Sequence, residues 1–120
     1  MVAGEGFLTT HILDTAKGCP AEGIQINVYQ LYGAKRKLIK TVISNGDGRT
    51  DEPIIAKGLL EIGTYELVFA IGDYFSGAIN SEKIPFLDLV PIRFGVSDAN
   101  AHYHVPLLAA PYSYSTYRGS

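Results

Sequence analysis

Glycine, proline and Asn/Asp pairs cut this chain into strand-length runs, and within those runs apolar and polar residues alternate. That pattern leaves little room for helices and demands a sheet with one buried face. The clearest case is Gly23 to Tyr32, where Ile24, Ile26 and Val28 point one way and Gln25, Asn27 and Tyr29 the other. Phe7 to Asp14 and Thr64 to Ile71 read the same way, the second with Tyr65, Leu67, Phe69 and Ile71 on one face. Weaker strands are expected over Lys37–Ile43 and over Glu52–Ala56, an edge strand interrupted by Pro53. Pro91–Val96, Ala101–Leu108 and Tyr112–Tyr117 complete the set, the last two joined by the hairpin-length Ala109-Ala110-Pro111. Gly72 to Lys83 is the one helix candidate, with Asp73 as N-cap, Pro85 as stop and Gly77 weakening its middle. About eight strands and one short helix predict an all-β sandwich. The 120 residues form one expected domain, 1–120, with residues 1–6 expected to be flexible.

Composition excludes several classes of function. Ten Lys and Arg against twelve Asp and Glu give a net charge of −2, which offers no basic stripe for nucleic acid. A single cysteine, Cys19, allows neither an internal disulfide framework nor a Cys-based zinc site. No apolar run approaches the ~20 residues of a membrane span, and the first residues carry no basic and apolar leader pattern, so a cytoplasmic location is expected. The Ser residues lie in no G-x-S-x-G elbow, and the glycines in no phosphate loop.

The candidate chemistry is in the histidines. His102 and His104 flank Tyr103, so the period of a strand puts both imidazoles on one face. If Val105 and Leu107 face the core, that face is the outer one; if Leu8 and Ile12 do, His11 is outward as well. Three readings of this face stay open: solvated strand residues, a metal site of His11, His102 and His104, or a general base for hydrolysis. Arg49 directly follows the turn Asn45-Gly46-Asp47-Gly48, in which Asp47 reads as a turn residue, and its planar fork of donors suits carbonyl or anionic oxygens. Tyr112 to Tyr117 alternates aromatics and hydroxyls, so Arg118-Gly119-Ser120 follow a β-forming run closely.

Five segments together carry a resemblance: His11-Ile12-Leu13-Asp14 with Gly18-Cys19-Pro20-Ala21, Gly48-Arg49, Gly72-Asp73-Tyr74-Phe75, His102 through Leu108, and Tyr117-Arg118-Gly119-Ser120. In order and over nearly the whole chain, they resemble the 5-hydroxyisourate hydrolase branch of the transthyretin-related proteins. The resemblance implies a transthyretin-like eight-stranded sandwich and a homotetramer, a dimer of dimers with its clefts at the dimer–dimer interface. It implies ring-opening hydrolysis of a small purine-derived substrate, 5-hydroxyisourate, without a cofactor or a metal. Matched position by position, His11, Arg49 and His104 are the implied catalytic residues. His102, Tyr117, Arg118, Gly119 and Ser120 are the implied substrate-binding ones. The resemblance also leaves a competing reading, a small-molecule carrier on the same fold.

Overall fold

The computed structural model describes residues 4–76 and 84–119, and it is a sandwich of two four-stranded sheets. One sheet has the order β2-β1-β7-β8, built from β1 (Phe7–Asp14), β2 (Cys19–Pro20), β7 (His102–Ala110) and β8 (Ser113–Thr116). The other, β4-β3-β5-β6, comprises β3 (Gln25–Tyr32), β4 (Lys35–Ile43), β5 (Gly63–Ala70) and β6 (Leu89–Val96). All pairings are antiparallel except β1 with β7, which run parallel with Phe7 beside His102 and Thr9 beside His104.

Alternation predicts the core well. Leu8 and Ile12 from β1, Ile26 and Val28 from β3, Leu67 and Phe69 from β5, and Leu107 from β7 are completely buried between the sheets. Burying a side chain of this kind contributes ~1.5–3 kcal/mol, so the inward face fixes which residues of each strand are left outward. Phe7, Thr9, His11 and Leu13 therefore share the outer, partly exposed face of β1. His102 and His104 share that of β7.

Five local expectations change. Glu52–Ala56 is not a strand: only Ile55 bridges to Leu8, because Pro53 has no N–H to offer and Ile54 and Ile55 both pack into the core. Its place in the count of eight is taken by β2, where Cys19 and Pro20, read from the sequence as part of a break, pair with Asp14 and Leu13. β7 runs two residues further than expected, leaving Pro111-Tyr112 as the turn into β8. The helix α1 covers Ile71–Phe75 alone, and Ser76 is already extended; the remaining helix expectation over 77–83 lies outside the described residues. Asp73 is not its N-cap but sits in its first turn, since β5 runs straight into the helix and Ala70 occupies the cap position. No helix among the described residues is long and apolar enough to cross a membrane.

The end of β1 is fastened by one buried carboxylate. Asp14 accepts the backbone N–H groups of Ala16 and Lys17 (2.9 and 3.0 Å) and the hydroxyl of Tyr74 on α1 (2.8 Å). Burial and the Asp14 carboxylate together push the Tyr74 hydroxyl up to about 12, so it stays a donor at any working pH. Tyr74→Phe is expected to lower stability by about 2 kcal/mol, because a hydrogen bond to a buried charge is lost. The check is a lower urea midpoint with an unchanged slope.

Candidate active site

The outer face of the β1–β7 pair is where the histidines meet. Parallel pairing sets Thr9 between them: its Oγ1 lies 2.6 Å from His102 Nε2 and 2.8 Å from His104 Nδ1. Phe7, one step back on the same face of β1, stacks flat on the His102 ring, with centroids 4.0 Å apart and planes within 9°. The sequence reading missed Thr9. The signal was present, since Thr9 falls two residues before His11 on the outward face, but only the pairing partner of β1 shows which residue it meets.

Arg49 arrives from the loop after β4. Asn45 organises that loop: its Oδ1 accepts the N–H groups of Asp47 and Arg49, and its own N–H donates to the Arg49 carbonyl. The side chain serving the turn is thus that of Asn45, while Asp47 contributes its backbone N–H. Gly48 then docks the loop on β1, its carbonyl accepting the Ile12 N–H at 2.7 Å. Gly48 has φ +74°, and a Cβ there would meet the Ile12 carbonyl oxygen and approach His11 Cδ2 to 3.3 Å. Only glycine allows that conformation and that approach together.

Arg49, Thr50, Asp51 and Glu52 face His102, His104 and Thr9 across an open cleft of about 370 Å³. His104 is half-buried there, and burial, the Arg49 charge and the neighbouring His102 and His11 all push its pKa below the 6.5 of a free histidine. It is therefore neutral near pH 7. Thr9 holds its Nδ1, which leaves Nε2 as the nitrogen free to exchange a proton in the cleft. Among the described residues, no three His, Cys, Asp or Glu side chains are gathered to hold one metal ion.

The C-terminal residues divide. After β8 the chain keeps its register along β7, but Pro106 has no N–H to give and Thr116 Oγ1 occupies its carbonyl at 2.6 Å. The ladder lapses over Tyr117 and Arg118 and resumes at Gly119, whose N–H donates to the His104 carbonyl at 2.8 Å. Gly119 packs against the His104 ring so closely that any Cβ would collide with Cδ2. Arg118 turns away from the histidines, and its guanidinium lies 4.3 Å over the Tyr103 ring on the opposite side of β7. Tyr117 is exposed. So His11, Arg49, His102, His104 and Gly119 come together within one chain, Tyr117 and Arg118 do not join them, and Ser120 lies outside the described residues.

The depressed His104 pKa has a sign that can be checked. In a titration followed by imidazole NMR, His104 should change charge below 6.5, and in Arg49→Leu its midpoint should rise, since a repelling positive charge is removed. By linkage, the neutral ring favours the fold fully above the unfolded value, and that contribution is lost as pH falls through the folded one. A midpoint above 6.5, or one that ignores Arg49, contradicts the assignment of the shift to these neighbours.

The comparisons with known proteins show the family of the chain. A 5-hydroxyisourate hydrolase 2 of Rhizobium meliloti is 58% identical, over 96% of this chain and 97% of its own. Among solved structures, an (S)-allantoin synthase superimposes with a TM-score of 0.90 at 44% identity over 98% of this chain, which spans only 45% of that longer protein. A sea bream transthyretin in complex with thyroxine matches with a TM-score of 0.83 at 25% identity, over 93% of both chains. The HIUase/Transthyretin family model matches residues 8–119. With nearly its whole length matched, this chain belongs to the HIUase/Transthyretin family.

Proposed function

We propose that the chain hydrolyses 5-hydroxyisourate to 2-oxo-4-hydroxy-4-carboxy-5-ureidoimidazoline. The name of the Rhizobium meliloti relative supports the reaction. The observation that carries the reading is that a neutral His104, with His11 as its neighbour, shares one cleft with the cation of Arg49. A carrier has no need of a proton acceptor facing a guanidinium.

In this mechanism a water lies between His104 Nε2 and the C6 carbonyl of the bound ring. His104, assisted by His11, takes a proton from the water as its oxygen bonds to C6. Arg49 neutralises the negative charge that develops on the carbonyl oxygen. The amide bond of the ring then breaks, the leaving nitrogen takes the proton back from His104, and C6 becomes a carboxylic acid that releases its remaining proton to solvent as the carboxylate. Water is consumed, and the enzyme returns to its starting state. Gly119 backs the His104 ring, while Tyr117, Arg118 and Ser120 are proposed to contact substrate once the site is assembled.

The cleft is open in the single chain, and the histidines stand on the outer face of their sheet. A homotetramer that pairs two such faces would wall the cleft from water and strengthen every charge inside it. Tetramer assembly and a cytoplasmic location belong to this proposal; the same family match and the exposed position of the site support the first.

The test uses 5-hydroxyisourate generated in place from urate by urate oxidase. Its decay should accelerate far beyond the spontaneous rate at catalytic protein concentration. His104→Ala and Arg49→Ala should each fold normally and lose ~10²–10⁴-fold in kcat/KM. Unchanged decay with the folded wild-type protein returns the carrier reading, and full turnover in either variant removes that residue from the mechanism.

A further inference from the structure

The hydroxyl of Thr9 touches a ring nitrogen of both His102 and His104, and it has only one proton to give. We infer that Thr9 is a positioning residue that holds His104 in its Nδ1–H tautomer by passing its own proton to His102, which leaves His104 Nε2 bare in the cleft. This deepens the hydrolase reading and rests on it.

The two directions of the chain of hydrogen bonds are not equivalent. In one, His104 Nδ1–H donates to Thr9 Oγ1, and Thr9 donates to a lone pair on His102 Nε2. In the other, Thr9 donates to His104 Nδ1, whose proton must then sit on Nε2, where it blocks the nitrogen that faces the cleft. Only the first gives a base. It also accepts a proton on Nε2 without rearrangement, because His104 keeps its Nδ1–H bond to Thr9 when it becomes the imidazolium.

A neutral histidine left to itself prefers the Nε2–H form, so a cleft that needs a bare Nε2 must select the less favoured tautomer. The bond made by the other ring nitrogen is what selects it. Thr9 can do so because it is itself fixed. It is β-branched on a central strand, so its χ1 is restricted, and the parallel register aligns it with His104. Phe7, stacked on His102, holds the acceptor ring in the plane that presents Nε2 to Thr9. The groups facing His104 fit this arrangement. Arg49 from the loop, His11 from β1 and His102 from its own strand all oppose a standing positive charge on its ring. Asp51 and Glu52 lie at the exposed far side of the cleft.

The readout is the ring ¹⁵N spectrum at mildly alkaline pH, where three histidines can be assigned by single substitution, together with kcat and KM. In the wild type His104 should show Nδ1–H. In Thr9→Val, which keeps shape and branching, it should cross to Nε2–H, while kcat falls about ten- to a hundred-fold and KM moves little. Thr9→Ser keeps the hydroxyl and should restore both the tautomer and most of the rate. A wild-type His104 in the Nε2–H form overturns the inference, as does a Thr9→Val protein with the tautomer unchanged, whether or not kcat falls. If the wild type does not accelerate 5-hydroxyisourate decay, the hydrolase reading fails by itself, and the ring spectra still decide the role of Thr9.

Discussion

The parallel pairing of β1 with β7 is the constraint on which the rest of the molecule depends. It joins two strands about ninety positions apart in the chain, and its register leaves no choice of neighbours: Phe7 beside His102, Thr9 beside His104. Leu8, Ile12 and Leu107 commit the inward faces of both strands to the core. A slip of one residue would bury the imidazoles and expose those side chains, so the hydrophobic core and the site enforce each other. The Arg49 loop and the C-terminal residues are then attached to this pair, the first through the Gly48 carbonyl on Ile12 and the second through Gly119 on His104.

Strand alternation made much of this legible in the sequence. The strands around Leu8, Ile26 and Leu67 and the outward placement of all three histidines follow from burial alone, because a period of two leaves each residue only two choices of face. What failed were segments in which something other than alternation decides. Cys19–Pro20 is too short to show a period, and it pairs only because the turn after Asp14 folds back on β1. Ile54 and Ile55 are both buried, which alternation over Glu52–Ala56 does not predict. Thr9 shares the outward face of His11 in the sequence, but a threonine there does not stand out as a site residue until its cross-strand partner is known. The lapse of the ladder before Gly119 reflects the missing N–H of Pro106, a tertiary consequence of one residue in the neighbouring strand.

Within the family, fold and chemistry separate. A sea bream transthyretin in complex with thyroxine superimposes on this chain with a TM-score of 0.83, so the backbone alone does not say what the molecule does. In this chain the candidate chemistry lies on the outer face of one sheet. There the imidazoles of His104 and His102, a hydroxyl and a guanidinium line an open cleft whose remaining wall a second copy is proposed to supply, with His11 next to His104. The His104 site follows general physical rules: burial and nearby positive charge keep its ring neutral, and Thr9 engages its Nδ1.

The central claim is that the proton acceptor in hydrolysis is His104 itself. It is tested most directly by overlaying two curves from the wild-type protein, the acid limb of kcat/KM and the NMR titration of the His104 ring. The account predicts that the two midpoints coincide, below 6.5. A limb that falls at a different pH from the His104 titration, or a rate that stays flat while His104 becomes protonated, would contradict it.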